Sequence, residues 1–94
     1  MSGLWLAHVK VHDAEAYGRY AALATEAIAS HGGVFLARGG ACTVMEGPDR
    51  PRNVVVRFPS MDDAVACYNS EAYKAALTHA EGAAERELVI VEEL

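Results

Sequence analysis

The sequence predicts an α+β fold in which strands and helices follow the order β-α-β-β-α-β. Three observations lead there. Apolar residues alternate with period two in four short stretches, beginning at Leu4, Val34, Asn53 and Glu87. Between the first two stretches, and again between the last two, apolar residues recur at steps of three and four, as on one face of a helix. Gly, Pro and Asp separate the stretches.

Leu4–Val11 is the first strand. Trp5, Ala7, Val9 and Val11 form a wholly apolar face, while Leu4, Leu6, His8 and Lys10 form a mixed one. Asp13 is placed as an N-cap, with Glu15 favourable in the first turn. The helix then runs to about His31, with a stripe of Tyr17, Tyr20, Ala21, Ala24, Ala27 and Ile28, and Gly32 stands where a left-handed cap is expected. Val34–Arg38 is the second strand, and Cys42–Glu46 is read as its continuation beyond Gly39-Gly40. Gly47-Pro48-Asp49-Arg50-Pro51 is a turn, so Asn53–Phe58 returns as the second arm of a hairpin. Ser60 caps a helix running to about Asn69, with Asp63 completing a capping box. Ser70 caps a further helix from Glu71 to about Ala80, making the second helical segment a split one. Glu87–Glu92 closes the fold; its core, Leu88-Val89-Ile90-Val91, is apolar on both faces, which predicts a strand that is central or covered on both sides.

This is the ferredoxin-like order, with helices on one face of an antiparallel sheet. The other face would carry Leu4, Leu6, Val34, Leu36, Val55, Val89 and Val91. A patch of that size is seldom left in water, and a second copy of the chain is its simplest cover. Two sheets meeting in this way enclose a barrel-like interior. The expectation is one domain spanning residues 1–94 that forms a homodimer.

Composition narrows the function. A net charge of −5, with no run of Lys and Arg, argues against nucleic acid and anionic membrane surfaces as partners. No apolar run reaches the roughly 20 residues of a membrane span, and no signal peptide is evident. A cytoplasmic protein is expected, in which Cys42 and Cys67 are separate reduced thiols. His12, His31 and His79 are scattered without ligand spacing, so no metal site and no cofactor are expected.

Several stretches together resemble one family: Leu4-Trp5-Leu6-Ala7, Asp13-Ala14-Glu15-Ala16-Tyr17, Gly32 through Gly40, Val54 through Ser60, and Tyr68-Asn69-Ser70-Glu71-Ala72-Tyr73. In this order they are similar to the domain-of-unknown-function thirteen-thirty family of the dimeric α/β-barrel superfamily. The resemblance implies a ferredoxin-like subunit and a dimer, and implies no particular reaction. The wider superfamily includes cofactor-independent monooxygenases, haem-dependent enzymes and lactone isomerases. Three positions depart from the family pattern. An acidic residue is usual at Arg57, a tryptophan at Cys67, and Thr or Ser at His12.

The candidate site follows from the strand faces turned away from the helices. Period two places His8, Lys10, Arg38 and Arg57 there, with Glu46 able to join across the glycine pair. Arg38 and Arg57 would hold a small anion, since a guanidinium can grip a carboxylate through two parallel bonds. His8 would move the proton, as an imidazole can near neutral pH. Tyr17 and Tyr68 would bring hydroxyls to the rim of the same cavity. The expected function is binding of a small anionic molecule in the sheet-lined cavity of a homodimer, extending to a cofactor-independent enzyme. The alternative is a structural or interaction module in which Arg38 only closes an ion pair, with Glu46 or with the second subunit.

Overall fold

The computed structural model describes residues 1–94. The elements are β1 (Gly3–Val11), α1 (Ala14–Ser30), β2 (Val34–Arg38), β3 (Arg52–Phe58), α2 (Met61–Asn69), α3 (Glu71–Ala80) and β4 (Ala84–Glu92). All strand pairs are antiparallel, and the sheet order is β2-β3-β1-β4. The expected fold is present.

Local chemistry places the helices as the sequence predicts. Asp13 accepts a hydrogen bond from the Ala16 N–H at 3.1 Å and so satisfies a free donor at the start of α1. Gly32, at φ +78°, turns the chain out of α1 at no steric cost. The Ser60 hydroxyl accepts from the Asp63 N–H and donates to the Asp63 carboxylate, both at 3.0 Å, closing the capping box on α2. Ser70 ends α2 and starts α3 by donating to the Cys67 carbonyl at 2.7 Å and accepting from the Tyr73 N–H at 3.2 Å. That double cap sets the direction in which Tyr73 enters the core.

The core lies between the sheet and the helices. Trp5, Ala7, Val9, Val56 and Phe58 come from the sheet; Tyr17, Tyr20, Ala24, Ala27, Ile28, Tyr73 and Ala76 come from the helices. Alanines on α1 and α3 let the two helices lie close to one another. Trp5 anchors the aromatic part, donating from Nε1 to the Ala64 carbonyl at 3.0 Å and packing edge-on against Tyr73 at 5.0 Å.

Three expectations are corrected. Cys42–Glu46 is not a strand: Gly39, at φ +68°, turns the chain away after its N–H bonds the Asn53 carbonyl, and the segment becomes a loop over one end of the open face. β4 begins at Ala84, because pairing with β1 continues to Val11 opposite Ala84. β4 is also an edge strand, not a central one. Its second apolar face is unburied, with Val89 57% and Val91 43% exposed. No helix is long and apolar enough to cross a membrane.

Candidate functional site

The decisive local feature is an irregularity in β2. Val34 pairs with Arg57 and Phe35 with Val56, but Ala37 then pairs with Val55 and Arg38 with Val54, leaving Leu36 as an extra residue. Unbroken alternation would turn Arg38 to the same side as Val34, away from the helices. One inserted residue reverses the parity beyond it. Arg38 therefore shares a side with Phe35 and with the helix-facing Val54 and Val56. Its guanidinium lies 4.4 Å over the Phe35 ring.

There it meets two arginines, Arg52 and Arg86, that plain strand alternation does not place at a site. Arg52 has the inward parity of Val54 and Val56, and Arg86 that of Leu88 and Ile90. Both pair with Val9 of β1, one from each side. Arg38, Arg52 and Arg86 line a cavity of about 40 Å³ between α1 and the sheet, walled by Trp5, Tyr17, Tyr20, Ile28, Phe35 and other apolar side chains. Arg86 is half-buried and gives Nη2 to the hydroxyls of Tyr20, at 2.8 Å, and Tyr73, at 3.0 Å. Its guanidinium stands 4.7 Å over the Tyr20 ring, and that of Arg52 stands 5.8 Å from Tyr17.

The polar balance of this cavity is uneven. None of the three arginines forms a salt bridge. Nε of Arg52 and Nε of Arg86 are buried without a hydrogen-bond partner. The Tyr20 and Tyr73 hydroxyls bond each other at 2.7 Å, which uses one of their two protons. Arg86 can only donate to them, so the second hydroxyl proton has no acceptor. Burial, and then the neighbouring Tyr73, push the Tyr20 hydroxyl far above its ordinary range, and burial also raises Tyr73. Both therefore remain donors. The cavity is a cluster of positive charge with more donors than acceptors, and buried donors left unpaired are costly.

The residues selected from the sequence divide among four places. Arg38 and Tyr17 lie in the arginine cavity. His8 and Glu46 line a separate cleft of about 460 Å³ on the open face, beneath the loop after β2. There His8 Nδ1 donates to Asn53 Oδ1 at 2.6 Å. Arg57 is held by Glu93 through two parallel bonds of 2.8 Å each at the sheet surface. Those bonds lower the Glu93 carboxyl and raise the Arg57 guanidinium relative to their ordinary values. Tyr68 packs against Tyr73 and borders a shallow depression with Leu88 and Ile90. Thus His8 and Arg38 lie on opposite faces of the sheet, and the expected partnership of anion holder and proton carrier does not form. The ion pair between Arg38 and Glu46 does not form either, because the bulge and Gly39 send the two residues to opposite sides. Arg52 was legible in principle, since the strand read from Asn53 only needed one more residue. Arg86 lies one residue before the predicted start of β4, with inward parity.

Fold and site together define a ferredoxin-like α+β protein with a cationic cavity beneath its helices. The chain belongs to the family described as a domain of unknown function, DUF1330, whose model matches residues 2–94. No curated protein matches the sequence. Among solved structures, it is similar to a protein of unknown function from Rhodopseudomonas palustris, with 20% identity, coverage of 99% of this chain and 82% of that one, and a TM-score of 0.79. It is also similar to SnoaB, a cofactor-independent oxygenase from Streptomyces nogalater, at 14% identity, 99% and 93% coverage and a TM-score of 0.65. A dimeric ferredoxin-like protein of unknown function from Thermobifida fusca matches at 16% identity, 99% and 92% coverage, and the same TM-score. These likenesses establish the shared fold.

Proposed function

We propose that the protein binds a small anionic molecule in the cavity lined by Arg38, Arg52, Arg86, Tyr17 and Tyr20, with the Tyr73 hydroxyl bonded behind Tyr20 and Arg86, and does so as a homodimer. The observation that carries this reading is the donor surplus: two buried guanidinium Nε groups and one tyrosine proton have no acceptor. An anion supplies acceptors and charge at once, and charge-assisted bonds are roughly twice as strong as neutral ones. The site is the inner side of the sheet, not the space between two sheets. The same donors would stabilise negative charge developing on a substrate oxygen, which extends the reading to a cofactor-independent enzyme of the kind that SnoaB's name describes.

Dimerisation is supported by the apolar open face and by the dimeric Thermobifida neighbour. Two free thiols accord with the reducing cytoplasm. His8, with Glu46 beside it, remains the candidate proton carrier of the open-face cleft, where a second subunit would complete the walls.

Native mass spectrometry of the purified protein, followed by thermal-shift titration with small carboxylates, tests the reading. Carboxylates should raise the melting temperature of the native protein and of Arg57→Met, and leave that of Arg86→Met unmoved. Equal responses in all three proteins, or none in any, would reject it.

A further inference from the structure

The arrangement of the three arginines says more about the ligand, on the basis of the anion-binding reading above. Arg52 and Arg86 both face Val9, from β3 on one side and β4 on the other. With neighbouring strands about 4.8 Å apart, their backbones stand roughly 10 Å from one another. Arg38 belongs with Arg52: it sits on the adjacent strand, and a Cβ on the following residue, Gly39, would lie 2.5 Å from Arg52 Nη1. The cavity thus has two cationic ends. One is Arg86 with its tyrosine hydroxyls; the other is Arg52 with the exposed Arg38. Between them the lining is apolar, with Trp5, Ala7, Val54 and Leu88.

The enclosed space, about 40 Å³, suits one compact group of about three heavy atoms, given that a water needs roughly 10–15 Å³ on the same measure. A carboxylate has three heavy atoms. A second charged group then has to lie toward the exposed Arg38.

We propose that the ligand is a short-chain dicarboxylate, with one carboxylate at Arg86 and the tyrosine hydroxyls and the other at Arg38 and Arg52. The apolar strip between the ends covers the methylenes. A monocarboxylate satisfies one end only. A compact dianion carries the charge but does not span the distance.

Calorimetric titration with succinate, butyrate and inorganic phosphate is the test. Succinate should bind at least about tenfold more tightly than butyrate, the effect of one additional charge-assisted contact. In Arg38→Met and in Arg52→Met, each verified as folded by circular dichroism, succinate should fall to the butyrate level while butyrate is unchanged. Equal binding of succinate and butyrate, both lost in Arg86→Met, would overturn the two-ended ligand and leave the anion site standing. Phosphate binding as tightly as succinate would overturn it as well. Absence of binding by all three would overturn this inference and the anion site together.

Discussion

Arg86 carries a positive charge into a partly buried position without a carboxylate to meet it. Burial alone would lower its pKa, but the hydroxyls of Tyr20 and Tyr73 more than offset that and hold it above the ordinary value. The residue is kept charged where charge is costly to the fold, which is the pattern of a binding group. A charge held partly out of water without a counter-charge costs the fold free energy that an apolar side chain of similar length does not. Arg86→Met is therefore expected to leave the midpoint of urea unfolding unchanged or raise it. A fall equivalent to more than about 1 kcal/mol would mark Arg86 as a structural residue, comparable to a typical lost hydrogen bond. Arg57 shows the contrasting case, a guanidinium fully engaged by Glu93 at the surface. Because the folded-state pKa of Glu93 is lowered, its contribution to stability is present above the unfolded-state value near 4.3 and is lost as pH falls through the folded value. Unfolding of Glu93→Gln followed from pH 6 to pH 2 should show a shallower loss of stability on the acid side than the native protein.

At the level of elements, Leu36 decides what β2 contributes. Its extra place in the strand turns Arg38 inward and leaves Val34 outward. Deleting Leu36 should give a regular strand with Arg38 still inward, so carboxylate binding by titration should survive. Loss of carboxylate binding in a folded deletion variant would show that Leu36 does not hold the extra place in β2. Here lies the limit of what the chain alone discloses. The cores of β1 and β3 and both helix stripes are legible because alternation and capping are local properties of neighbouring residues. Asp13, Ser60 and Ser70 all cap as their types predict. The bulge is not local. It depends on which residue of β3 each residue of β2 meets, so plain alternation puts Arg38 on the wrong face. Arg86 is hidden from the pattern for a related reason: the pairing of β4 with β1 extends that strand past the point where its apolar run stops. The edge position of β4 has the same origin, since an apolar residue on both faces reports burial without saying whether this chain or another supplies it.

The whole molecule is a thin plate, 33 × 31 × 17 Å, with helices on one side only. Only 17 of its 94 residues are buried, and a core so small benefits from further cover. Val89 and Val91 of β4 pair with Leu6 and Leu4 on the open face and form an apolar surface there, continued onto β3 by Val55 opposite Leu6. Val89 is 57% exposed within the subunit, so a charge there costs the isolated fold little. Val89→Asp should give a monomer mass by light scattering at micromolar concentration, where the native chain gives a dimer, while the circular dichroism of the two remains alike. A monomeric native chain would refute assembly through this face.

β4 supplies alternate residues to both sides of the sheet: Arg86 to the cavity, Val89 and Val91 to the surface that a second copy would cover. It is also an edge strand, paired within the sheet with β1 alone. Association would restrain this strand and thereby remove part of the entropy that anion binding otherwise has to remove. Ligand affinity and self-association then become linked equilibria, each favouring the other by the same factor. The ligand should bind more weakly to dilute protein than to concentrated protein, and its presence should draw subunits together without touching the interface.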